Sequence, residues 1–204
     1  MNEVQINHFI DNYLASLRTL KISEASTQRI RKQMRVLRVK SKETIILPGE
    51  VCKNIYLIMR GGFICRYIHG KTGAAKTINF YLADLHPIMA CLDSYFTQTP
   101  TNCELRAVTD ADLLVLPKTY VDQLVAEDGH FYQYYHDVIA KVMFEENELK
   151  TKLIAFSPKE LYDYILEEMP SVIQMVPAKY IAEFCGISAE WLSKLKKQAG
   201  TKKK

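Results

Sequence analysis

Apolar residues recur at helical intervals at the start of the chain. Ile6, Phe9, Ile10, Tyr13, Leu14 and Leu17 fall three and four residues apart and share one helix face. A second helix is predicted from Ser26 to Met34, with Arg29, Arg31 and Arg35 on a solvated side. From Val36 the period shortens. Runs rich in β-branched and aromatic residues cover 44–47, 55–59, 63–68 and 77–82. Pro48-Gly49-Glu50, Arg60-Gly61-Gly62, Gly70 and Gly73 break them. Short strands at this spacing predict a small antiparallel roll or barrel. The stretch 83–102 interrupts the pattern with Pro87 and Pro100 and contains a candidate short helix at 91–96. Strands return at 103–108 and 112–116.

After Pro117 the period is helical to the end. A short helix at 120–125 stops at Asp128-Gly129, and a long one runs from His130 to near Ala155. Phe131, Tyr135, Val138, Val142, Leu149 and Leu153 lie close to one face, widened by Tyr134, Ile139 and Met143. Such a stripe packs either on the chain's own roll or on a second copy of itself. Ser157-Pro158-Lys159-Glu160 is a helix start: a cap, a proline at the first position and a capping-box glutamate. That helix ends before Pro170, and the domain boundary is placed at Phe156-Ser157.

The segment 177–195 meets each requirement of a helix-turn-helix. Ala182 is small enough for two helices to cross closely, and Gly186 tolerates the left-handed turn. Ser188 is an N-cap, and Ile181, Cys185, Ile187, Leu192 and Leu195 supply the apolar inner faces. The alternative is an ordinary helical hairpin that meets no nucleic acid. Charge favours DNA. Residues 1–43 carry nine basic against four acidic groups (+5), 44–169 eleven against seventeen (−6), and 170–204 seven against two (+5). Lys194, Lys196, Lys197, Lys202, Lys203 and Lys204 lie in or beyond the second helix. A helix of this kind enters the major groove with its N-terminal half facing base edges.

The DNA-binding set is therefore Lys179, Ser188, Ala189, Glu190, Ser193, Lys194 and Lys197. Glu190 suits a cytosine amino group, Lys194 a guanine and Ala189 a thymine methyl. Lys179 and Lys197 suit phosphates, which position without reading sequence. Trp191 either packs in the small domain or lies against the DNA backbone, with core packing favoured.

Other chemistry is sparse. The five cysteines (Cys52, Cys65, Cys91, Cys103, Cys185) form no CxxC pair, so no disulfide framework or zinc ribbon is legible. A cupin-type metalloenzyme needs two histidines one residue apart, whereas the roll offers His69 and His86, seventeen apart. No catalytic residue and no metal site are assigned, and no enzyme activity is expected. No apolar run reaches bilayer-spanning length and the N-terminus lacks a signal pattern, so a cytoplasmic protein without a membrane partner is expected.

Leu47-Pro48-Gly49-Glu50, Tyr56-Leu57-Ile58-Met59-Arg60-Gly61, Lys179-Tyr180-Ile181-Ala182-Glu183 and Gly186-Ile187-Ser188 together resemble the Crp/Fnr family of bacterial regulators, over nearly the whole chain. The resemblance implies an α+β fold: a cupin-like antiparallel β-roll sensor with flanking helices (1–129), a connecting dimerisation helix (130–156) and a helix-turn-helix DNA-binding domain (157–204). It implies a homodimer joined through Phe131, Tyr135, Val138, Val142 and Leu149. It also implies double-stranded DNA and RNA polymerase as partners, and a small-molecule effector in the roll.

Aligning on Tyr95-Phe96 puts Ala90-Cys91 where cyclic-nucleotide-binding members carry Gly-Glu, and Thr101-Asn102 where they carry Arg-Ser. The effector pocket is accordingly assigned to Ala90, Cys91, Thr101 and Asn102, with Arg106 nearby. Lacking both charges, it is not expected to take cyclic AMP, because a buried phosphate would be unpaired. The N-terminal cysteine cluster of iron–sulfur members is missing, since no cysteine precedes Cys52. A haem ligand among His8, His69, His86, His130 and His136 is left open. Ala189 stands where cyclic-AMP-type members place an arginine, and with seven residues after Lys197 the family's wing is expected to be absent or truncated. The competing reading is a ligand-binding regulatory module whose C-terminal helices bind protein rather than DNA.

Overall fold

In the computed structural model, residues 1–201 are described, with side chains through Lys197. Lys202, Lys203 and Lys204, assigned above as terminal cations, lie outside the described residues. The chain opens with α1 (Glu3–Thr19), capped by Asn2, and α2 (Glu24–Gln33), capped by Ser23. Then come β1 (Arg35–Val39), β2 (Thr44–Ile46), β3 (Asn54–Arg60), β4 (Gly62–Ile68), β5 (Ala75–Leu82) and β6 (Ile88–Met89). After α3 (Leu92–Thr97) follow β7 (Cys103–Ala107) and β8 (Ala111–Pro117).

The strands form two antiparallel four-stranded sheets, in the orders β1-β8-β3-β6 and β2-β7-β4-β5. Strand alternation sorts the side chains. Phe63 and Cys65 on β4, and Leu105 and Ala107 on β7, face the other sheet and fill the roll's interior with Tyr56, Ile58, Leu113 and Tyr95. Gly61 has φ +91°, and a Cβ there would sit 2.5 Å from the Asp110 carbonyl oxygen, so the β3–β4 turn admits only glycine without displacement.

Helices cover both outer faces of the roll. On the first sheet, Met59 and Leu114 pack with Ile6, Ile10, Leu14 and Leu17 of α1 and with α4 (Lys118–Glu127). The long α5 (Gly129–Ala155) starts in the same cluster through Phe131 and is capped by the Asp128 carboxylate. On the second sheet, Ile64, Phe80 and Leu82 pack against the C-terminal helices: α6 (Pro158–Glu168), α7 (Pro170–Met175), α8 (Ala178–Cys185) and α9 (Ala189–Thr201). The capping box at Ser157 and Glu160 forms as the sequence predicts. The short α7 is not legible in the sequence; Pro170 starts it at the first helical position.

The long helix divides the residues assigned to a dimer face. Of the five residues assigned to a dimer face, Phe131 and Leu149 are buried within the protomer, in the clusters on either side of the roll. Tyr135, Val138 and Val142 are half-buried on the same side. Phe131 and Leu149 dock the two ends of the stripe within the protomer, while Val138 and Val142 line an open cavity between. The exposed apolar face is the neighbouring one, Tyr132, Met143 and Ile154, with half-buried Ile139 between.

Candidate nucleic-acid interface

Between α8 and α9 the chain turns through Gly186 at φ +69°, whose N–H donates to the Glu183 carbonyl (3.2 Å). The Ile187 N–H then donates to the Ala182 carbonyl (3.0 Å). The Ser188 hydroxyl accepts from the Trp191 N–H (3.2 Å) and caps α9. Ile181, Ala182, Phe184, Cys185, Leu192 and Leu195 are buried, which seats α9 against α8 by its inner face. Ser188, Ala189, Glu190, Ser193, Lys194 and Lys197 are all exposed. At 100° per residue, Glu190, Ser193, Lys194 and Lys197 share the side opposite Leu192 and Leu195. The Ser188 hydroxyl holds the Glu190 carboxyl below its usual range, so Glu190 is an acceptor near neutral pH. Trp191, expected in the core, is 50% exposed: its position carries it to the edge of the outward face. Among the described residues no strand follows α9.

A polar network the sequence did not reveal fixes α8 to the roll. The Arg66 guanidinium on β4 donates twice to the Glu183 carboxylate (Nε and Nη2, each 3.0 Å) and once to Glu104 on β7 (2.7 Å). The Thr77 hydroxyl on β5 donates to Glu183 as well (2.9 Å). Phe184 stacks at a tilt on Phe80, with ring centroids 4.8 Å apart. Next to this clamp, the exposed Lys179 ammonium lies 4.6 Å from the Tyr180 ring centroid, and the Arg66 guanidinium lies 5.4 Å from it. Lys179 is thus held in the first turn of α8, at the rim of the motif. The partners are 117 residues apart, and the only local signal was a charged residue within an apolar strand run.

The assigned effector residues separate. Ala90, Cys91 and Thr101 are buried within the roll, with the Thr101 hydroxyl accepting from the Cys103 N–H (3.0 Å). Asn102 is exposed. Arg106 alternates with Leu105 and lies on the other face of β7, the side of Glu104, so it does not point at the pocket. An open cavity of about 170 Å³ lies elsewhere, between β5, residues 85–88 and α5. Glu146 faces it, accepting from Asn79 Nδ2 (2.5 Å) and the Tyr81 hydroxyl (3.4 Å). Burial raises the Glu146 carboxyl above its usual range. His8, His69, His130 and His136 are exposed, and His86 sits 3.5 Å from Glu145. Among the described residues, no group of three or more histidine, cysteine or acidic side chains is arranged to hold a metal ion. No described helix is long and apolar enough to cross a membrane.

No protein-family model matches the chain, and no curated protein sequence does. Its fold is the one that Crp/Fnr regulators share. FixK2 from Bradyrhizobium japonicum superposes with a TM-score of 0.68 at 13% identity, over 83% of this chain and 85% of its own. A transcriptional regulator assigned to the Crp/Fnr family from Eubacterium rectale gives 0.67 at 16% identity, over 89% and 85%. CLP from Xanthomonas campestris, described as a c-di-GMP-responsive global regulator, gives 0.65 at 13% identity, over 88% and 93%.

Proposed function

We propose that this chain is a homodimeric regulator of transcription that binds double-stranded DNA through α9. The observation that carries it is the two-sidedness of that helix. Leu192 and Leu195 are buried, while Glu190, Ser193 and Lys194 stand clear of the protein on a capped, groove-sized element. In this reading 1–129 is the sensor, 130–156 the connecting helix and 157–204 the reading head. Tyr132, Ile139, Met143 and Ile154 recur at 7, 4 and 11 residues, which keeps them on one face of α5, and supply the dimer face. Lys179 and Lys197 contact phosphates.

The effector is not cyclic AMP, since the roll interior offers a thiol and a hydroxyl where a phosphate needs a cation. The cavity beside Glu146 suits a small ligand that donates hydrogen bonds or carries positive charge.

The exposed Trp191 favours a second reading, in which α9 docks on a protein. The two are separated by binding a library of short duplexes across a salt series. DNA binding predicts affinity that falls steeply with salt, with a log–log slope shallower by about one for Lys179→Ala. Absence of measurable duplex affinity at low salt contradicts it and leaves the protein-docking reading.

A further inference from the structure

The cavity between β5, residues 85–88 and α5 is lined mainly by apolar side chains, among them Leu85, Ile88, Val138 and Val142. Four ionisable side chains also line it: His86, Lys141, Glu145 and Glu146. Three of these answer one another. The Glu145 carboxylate lies 3.8 Å from the Lys141 ammonium and 3.5 Å from His86 Nδ1. Glu146 is different. Among the described residues no basic side chain forms an ion pair with it, and His86 acts on it only from farther away. Its hydrogen bonds come from neutral groups, the Asn79 amide (2.5 Å) and the Tyr81 hydroxyl (3.4 Å). Both end on Oε1, which leaves Oε2 for a ligand. A half-buried carboxylate short of a cation is costly, and one positive charge restores the balance.

We infer that this cavity binds a small aliphatic amine in its ammonium form, with the ammonium on Glu146 and the hydrocarbon body among Leu85, Ile88 and Val142. The inference rests on the reading that the cavity beside Glu146 takes a small ligand, and narrows it from hydrogen-bond donors in general to a monocation. A cavity of about 170 Å³ is smaller than the sites of drug-sized ligands and suits a body of a few carbons. An ammonium on Oε2 makes a charge-assisted hydrogen bond, roughly twice as strong as a neutral one. An alcohol satisfies the same oxygen without cancelling its charge. A carboxylate ligand meets repulsion from Glu146. A zwitterionic amino acid has to draw Lys141 or His86 away from Glu145 to hold its own carboxylate. A simple amine needs no such rearrangement.

The site joins two elements. Glu146 is carried by α5, and Asn79 and Tyr81 by β5. Between those two strand residues Phe80 faces the other way and stacks on Phe184 of α8. The ligand therefore sits behind the strand that carries the helix-turn-helix.

Isothermal titration calorimetry of the full-length chain, without DNA, compares isopentylamine, isopentyl alcohol and isovalerate. The three share one hydrocarbon body and differ in charge. The amine should bind saturably, at one site per chain, and the other two should not. Glu146→Gln should weaken the amine about tenfold or more. Val142→Phe fills the cavity and keeps the carboxylate, so it should abolish binding, and it carries the test should Glu146→Gln fail to fold by circular dichroism. No saturable binding of the amine to the wild type would overturn the inference, as would affinity undiminished in the folded variants. The alcohol binding as tightly as the amine would overturn the ammonium and leave the wider reading of a donor-binding cavity standing. Isovalerate binding as tightly would overturn both.

Discussion

Arg66 and Glu183 are joined by two parallel hydrogen bonds of 3.0 Å each, and this pair ties the first helix of the helix-turn-helix to the middle of the β-roll. Both side chains are largely withdrawn from solvent, and Glu104 and Thr77 complete the set. A bidentate guanidinium–carboxylate pair fixes orientation as well as distance. Removing one member strands the other's charge at the sheet surface. Arg66→Ala and Glu183→Gln should each lower unfolding free energy by about 2 kcal/mol. The double variant should cost less than the sum, by about 1 kcal/mol or more. Urea denaturation of the four proteins checks this; strict additivity would mean the pair carries no coupling.

The two faces of α5 make opposite predictions. Phe131 lies inside the protomer, so Phe131→Ala should destabilise by about 3–5 kcal/mol while the folded fraction stays dimeric. Met143 and Ile154 are exposed on the free face, so Met143→Asp or Ile154→Asp should leave the fold intact and give monomers. Sedimentation equilibrium with circular dichroism separates the outcomes. Dimers persisting in both aspartate variants would contradict the assigned seam.

Asp128 links the helix start to α2. Burial disfavours its carboxylate, but hydrogen bonds from the Ser26 hydroxyl (2.6 Å) and the N–H groups of Phe131 (3.1 Å) and Ser23 (3.3 Å) outweigh this and hold the carboxyl down at about 2. A carboxyl depressed in the folded state stabilises fully above its unfolded pKa of about 4 and loses that contribution as pH falls toward 2. Asp128→Asn should be less stable than wild type at pH 7, and the gap should close between about pH 4 and pH 2. Thermal melts across that range check it; a gap independent of pH would assign the effect to geometry rather than charge.

What the sequence revealed was local. Ala182, Gly186 and Ser188 define the helix-turn-helix because each meets a requirement of its own few residues, and the structure places all three as expected. The capping box at Ser157 and the glycine turn at Gly61 were legible for the same reason. What escaped depends on partners distant in the chain. The face of α5 that meets the roll cannot be told by periodicity from one that meets a second copy, because both are apolar at the same spacing. Trp191 looked like core, yet rotation along α9 gives the inner positions to Leu192 and Leu195. Arg66, Glu104 and Glu183 come together only once the sheet and α8 are assembled.

The claim on which most depends is that Glu190 and Lys194 read bases, and capture of genomic DNA fragments by the purified protein tests it most directly. Wild type should enrich a discrete set of sites. Glu190→Ala and Lys194→Ala should each weaken those sites by about 1–3 kcal/mol and relax the preference at one position. If the wild type enriches nothing, or if both variants recover the same sites with undiminished strength, α9 is not the reading helix.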